Sequence, residues 1–118
     1  MQRLSITQTA YQFNPQILIA CGQESEEYTR SLLAKSSNAL LEISGIKASF
    51  SIGKVSKTTV AISARSTKDI NVQVIMEAMD GGGHFSMAAA QFEDQSIEQV
   101  RLLLEEKIQE YLDDRGEA

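Results

Sequence analysis

Apolar positions recur along this chain with two periods, one of strands and one of helices. Gln16–Cys21 reads QILIAC, a short and nearly continuous apolar run. Such a run suits a strand covered on both faces. Beyond Gly22, the acids Glu24, Glu26 and Glu27 stand where a helix N-terminus favours negative charge. Tyr28, Leu32, Ala39, Leu40 and Ile43 follow at helical spacing, with Gly45 as the stop. The period then changes. In Lys47–Val55, Ala48, Phe50 and Ile52 share one face and Ser49, Ser51 and Gly53 the other. In Thr58–Ser66, Val60, Ile62 and Ala64 oppose Ala61, Ser63 and Arg65. Ser56-Lys57 between these runs is short enough for a hairpin. Asn71 is placed to cap a helix with a Val72, Ile75, Met76, Met79 stripe, ended by Asp80-Gly81. Gly81–Ala90 reads as a glycine loop followed by small residues, with a strand around Ala89–Glu93. Ser96 and Gln99 form a capping-box pattern ahead of a long stripe from Ile97 to Leu112. The order strand, helix, hairpin, helix, strand, helix predicts an α/β fold: a mixed sheet of about four to five strands with helices packed on it.

Composition narrows this little. With 118 residues, 42% hydrophobic and 23% charged, the chain has the size and balance of one globular domain. Residues 16–113 are the expected domain, with a leading segment at 1–15 and a polar tail at 114–118. The single cysteine, Cys21, excludes an internal disulfide and reads as a small buried residue of its strand. No apolar run has the length of a membrane span, and residues 1–10 lack a signal-peptide core.

Charge is more informative. The net charge is −5, from 11 basic and 16 acidic residues, which disfavours a basic nucleic-acid or membrane-surface binder. Yet Lys47, Lys54, Lys57, Arg65 and Lys68 fall in a stretch without an acid, while Glu93–Ala118 holds nine acids and three bases. Either the middle of the chain can hold an anion, or both charged stretches simply face water. Its candidate donors lie in two places. Gly81-Gly82-Gly83-His84 is either an ordinary helix-to-strand connection or a backbone that a ligand approaches closely, where a helix starting just after it would add its positive end. Ser63-Ala64-Arg65-Ser66 puts a guanidinium fork beside a hydroxyl; Arg65 either meets phosphate or pairs with an acid such as Asp69. Both supply donors and neither a nucleophile. With one histidine, no two-histidine metal site forms within the chain.

Ile62-Ser63-Ala64-Arg65-Ser66, Asn71–Glu77, Gly81-Gly82-Gly83-His84 and Ala88-Ala89 together resemble the DHH-associated domain, the substrate-binding C-terminal domain of the DHH phosphoesterases. The wording ISARS, NVQVIMEAM and GGGHFSMAAAQF is most similar to the GdpP-type cyclic-di-AMP phosphodiesterases, over about Gln16 to Tyr111. The resemblance implies metal-dependent phosphodiester hydrolysis by two manganese ions held in a separate DHH domain, so this segment alone would be inactive. Gly81, Gly82, Gly83 and His84 would then hold phosphate and base, and Arg65 with Ser63 or Ser66 a phosphate. The implied partners are a cyclic dinucleotide or short oligonucleotide and an upstream DHH domain. A homodimer is allowed, and no direct membrane contact is expected. The implied setting is cytoplasmic, in a membrane-anchored parent protein. Many relatives have proline where Phe85 stands, and Ala-Ala-Gly where Ala88-Ala89-Ala90 stands. Both departures put handling of long strands in doubt. A nanoRNase or RecJ-like exonuclease acting on short oligonucleotides is the alternative enzyme, and a stand-alone RNA-binding module the alternative of another class.

Overall fold

The computed structural model describes residues 6–116. Residues 1–5 and 117–118, the ends of the expected leading segment and tail, lie outside the described residues. A short 3₁₀ turn, Ile6–Thr9, precedes β1 (Tyr11–Asn14) and β2 (Ile17–Cys21). Then come α1 (Arg30–Leu41), β3 (Ala48–Lys54), β4 (Thr59–Ser66) and α2 (Val72–Glu77). The chain continues through β5 (Gly82–His84), β6 (Met87–Glu93) and α3 (Ile97–Asp114). One mixed sheet of six strands runs in the order β1-β2-β3-β4-β6-β5. Only β2 and β3 are parallel, joined by α1. The α/β class holds. The sheet has slightly more strands than expected, and the two that the sequence did not place are the edges, β1 and β5.

Three layers follow from side-chain alternation. Ile17, Ile19, Phe50, Ile52, Val60 and Ile62 face α2 and α3, whose Val72, Ile75, Met76, Val100, Leu104 and Ile108 complete that core. The other face meets α1: Leu18, Ala20 and Ala61 pack with Leu33 and Leu40. β2 is thus covered on both sides, as its unbroken apolar run required. Cys21, at the end of β2, is partly buried, and burial pushes its thiol up to about 11.

α1 starts later than the acids at 24–27 predict. The Thr29 side chain takes the Leu32 N–H at 2.9 Å and caps the helix there. Tyr28 lies before the helix: its N–H donates to the Lys54 carbonyl at 2.7 Å and its ring fills the space beside Gly22 and Gly53. Ile43 lies beyond the helix and is exposed. Glu24 serves a different helix, because its carboxylate accepts the Ile97 N–H of α3 at 2.7 Å. The caps expected for the other helices form. Asn71 accepts from Val74, and Ser96 and Gln99 close a capping box.

Candidate functional site

Alternate residues of a strand face opposite ways, so the register of β4, β6 and β5 decides which side chains meet. Arg65 lies opposite Met87, and Met87 opposite His84. Ser63 lies opposite Ala89, and Ala89 opposite Gly82. Two neighbouring rows therefore cross three strands on the side of the sheet that carries α1. That helix packs on β3 and β4. Beyond it this side of β6 lies open: Met87 is 54% exposed, whereas Ala88, facing the opposite core, is 4% exposed. The step between covered and uncovered sheet is a groove of about 360 Å³. Ser63, Ala89 and Gly82 floor it, Arg65, Met87 and His84 border it, and Arg30 and Ala34 of α1 overhang it. None of the residues lining it is acidic.

Arg65 is its strongest donor. One terminal nitrogen, Nη1, donates to the Ala64 carbonyl at 2.8 Å and lies 3.3 Å from Ser63 Oγ. Its Nε is buried with no hydrogen-bond partner. Asp69, the acid that could have neutralised it, pairs instead with Lys47 at 3.1 Å. No ion pair reaches Arg65 among the described residues. Desolvation pulls its pKa below the ordinary arginine value. A guanidinium withdrawn from water without a counter-charge is costly, and a bound anion would offset that cost.

The four-residue glycine motif is not a loop. Gly82–His84 forms edge strand β5, and Phe85-Ser86 turns it into β6, so no helix end follows it. Each glycine has a separate reason. A Cβ on Gly81 would stand 2.1 Å from the Ala89 carbonyl oxygen. Gly83 has φ +144° and its Cβ would meet Met87 O at 2.5 Å. Gly82 alone faces open space, toward the groove. As part of an outer strand, β5 leaves some of its backbone donors and acceptors without a ladder partner. His84 is exposed at the rim.

Of the residues singled out in the sequence, the groove gathers Ser63, Arg65, Gly82, Gly83 and His84. Gly81 lies just behind, holding β5 close to β6. Ser66 points the other way, its hydroxyl donating to the Phe85 carbonyl at 3.3 Å. Sequence reasoning missed Arg30 and Met87. Arg30 follows an acidic stretch and carries no local signal; only the docking of α1 brings it to the groove. Among the described residues no group of three or more His, Cys, Asp or Glu could hold a metal ion. The chain's described residues thus do not fit two manganese ions, and no step is assigned to metal held here. No helix among them is long and apolar enough to cross a membrane.

Known proteins are similar to this chain in sequence and in fold. The chain is 46% identical over 97 residues to the cyclic-di-AMP phosphodiesterase GdpP of Geobacillus thermodenitrificans, covering 82% of this chain and 15% of that protein. It is 36% identical over 115 residues to GdpP of Bacillus subtilis, covering 96% and 18%. It therefore spans less than a fifth of the relatives it matches. A pGpG-specific phosphodiesterase from Vibrio cholerae shares the fold with a TM-score of 0.62 at 16% identity, over 91% of this chain and 37% of the other. The DHHA1 domain model matches residues 14–113, from the end of β1 almost to the end of α3, and the chain belongs to the DHHA1 domain family.

Proposed function

We propose that this chain is the substrate-holding part of a larger cyclic-di-AMP phosphodiesterase, with the groove as its phosphate and base site. Arg65 holds a phosphate, seconded by Ser63. The Gly82 backbone lets the ligand lie against the sheet, and His84 donates at the rim. Hydrolysis belongs to a separate DHH domain carrying two manganese ions, in a membrane-anchored parent protein that places this domain in the cytoplasm. The names of the GdpP relatives support the substrate class. The single observation that carries the reading is Arg65: a partly buried guanidinium with an orphaned Nε, no acid beside it, and an open groove before it.

The test is titration of the chain with cyclic-di-AMP, followed by backbone NMR. A half-cleft without its closing partner is expected to bind weakly, with Kd of about 10⁻⁴ M or above. The amides of Arg65 and Gly82–His84 should shift first. Arg65→Ala removes a charged donor and should weaken binding by about 1.5–3 kcal/mol, roughly 10- to 150-fold in Kd. Shifts confined to α3, or unchanged binding by Arg65→Ala, would contradict the proposal.

A further inference from the structure

Four arginines lie among the described residues, and two of them are engaged. Arg101 pairs with Glu98 and Glu105, and Arg115 lies over the Tyr111 ring and donates to the Asp69 carbonyl. The other two, Arg30 and Arg65, have no carboxylate partner among the described residues, and both line the same groove. In a chain with 16 acids this is a selective absence of acid.

The two stand on opposite sides of the Ser63–Ala89–Gly82 row. Arg65 is in the next row on one side. Arg30 lies toward the other, because with Leu33, Ala61, Ser63 and Ala89 it lines a smaller cavity of about 60 Å³ that adjoins the groove. α1 is fixed at this height. Ser37, two turns after Arg30, has its hydroxyl 2.7 Å from the Ser63 carbonyl and 2.8 Å from Ser51 Oγ. Ser49 donates to the Ser37 carbonyl at 2.6 Å. The tether sets where the start of the helix, and so Arg30, stands over the floor.

Resting on the reading of the groove as a phosphate site, we infer that Arg30 forms a second anion pole. The groove then takes a ligand with two phosphates, one at Arg65 and one at Arg30, across the small-residue floor. Nothing in the sequence around Arg30 marks it for this role.

Diadenylate with only its bridging phosphate, and the same dinucleotide with an added 5′-phosphate, are the probes. Calorimetric titrations run at about 10 mM salt, where screening is weak. The wild-type chain should bind the 5′-phosphorylated form about 3- to 5-fold more tightly, the upper range for an exposed ion pair. Arg30→Gln should erase that difference and leave the unphosphorylated form unchanged. Lys35→Gln removes the same charge from α1 outside the groove and should preserve the difference. Arg65→Gln should weaken both ligands. Equal affinities in the wild type would overturn the second pole, as would an Arg30→Gln variant that weakens both ligands alike. Loss of the difference in Lys35→Gln would reduce it to net charge. Failure of either ligand to bind the wild type would overturn the phosphate reading of the groove itself, and the second pole with it.

Discussion

Gly81 and Gly82 are neighbours with opposite requirements, and a single methyl group separates them. On Gly81 that methyl collides with the Ala89 carbonyl oxygen at 2.1 Å, a backbone atom held in β6. On Gly82 it meets nothing within 4 Å. Gly81→Ala should therefore force β5 off β6, costing about 1–3 kcal/mol, with a fall in Tm of several degrees. Gly82→Ala should leave Tm within about a degree of the wild type, since surface changes away from such contacts stay within about 0.5 kcal/mol. Its methyl would nevertheless stand on the groove floor and weaken cyclic-di-AMP binding. Thermal melts and titrations on the same two preparations separate the cases. Equal binding by Gly82→Ala and the wild type would show that no ligand approaches that backbone. The residue scale is also where the sequence was most ambiguous. The motif allowed either an ordinary connection or a close approach, but did not show that packing against β6 requires Gly81 and Gly83 while Gly82 faces open space. That division depends on the partner strand, which local sequence does not contain.

At the scale of elements, the seam between α1 and the sheet is unusual in being polar. Ser37, Ser49 and Ser51 are all fully buried there. Each hydroxyl carries one proton, so one consistent chain runs from Ser51 through Ser37 Oγ to the Ser63 carbonyl, with Ser49 bound to the Ser37 carbonyl. Ser37→Ala leaves the Ser51 hydroxyl without its acceptor in a dry seam. It should cost about 1–3 kcal/mol in chemical unfolding. Ser37→Ala and Ser51→Ala remove ends of one bond, so the double variant should lose less than the sum, by about 0.5–1 kcal/mol. Strict additivity would mean that the two hydroxyls do not interact. The serines also explain which elements were legible. β3 and β4 alternated clearly, because their apolar residues face one core and their small polar ones face α1. β2, α2 and α3 were readable from continuous or 3.6-spaced apolar positions. β5 has three residues and almost no side chains, so it has no period to read. β1 is four residues of mixed character at the opposite edge. The start of α1 was misplaced because the acids at 24–27 mimic a helix first turn, while Tyr28 is drawn out of the helix by its bond to Lys54.

Across the whole molecule, charge is divided by the sheet. The acid-rich α3 packs on one face, and the acid-free groove with Arg30 and Arg65 opens on the other. The chain is therefore acidic overall and still carries a groove with arginines and no acid, so its net charge of −5 does not describe the charge of that surface. The same separation bears on catalysis. Metal-dependent phosphodiester hydrolysis needs ligands that hold the ion and lower the pKa of a bound water. The described residues offer no such cluster, and the groove is lined by the donors Arg30, Ser63, Arg65 and His84 with no acid among them. The expected outcome with the chain alone, cyclic-di-AMP and manganese is binding without turnover. Formation of the linear dinucleotide, followed by chromatography, should stay at the level of the buffer blank. Arg65→Ala controls for a contaminating nuclease, because trace activity from another protein would persist in that variant at the same rate. Turnover that co-elutes with the chain through gel filtration and disappears in Arg65→Ala would place the reaction in this groove. The division between a domain that holds the substrate and one that hydrolyses it would then be wrong.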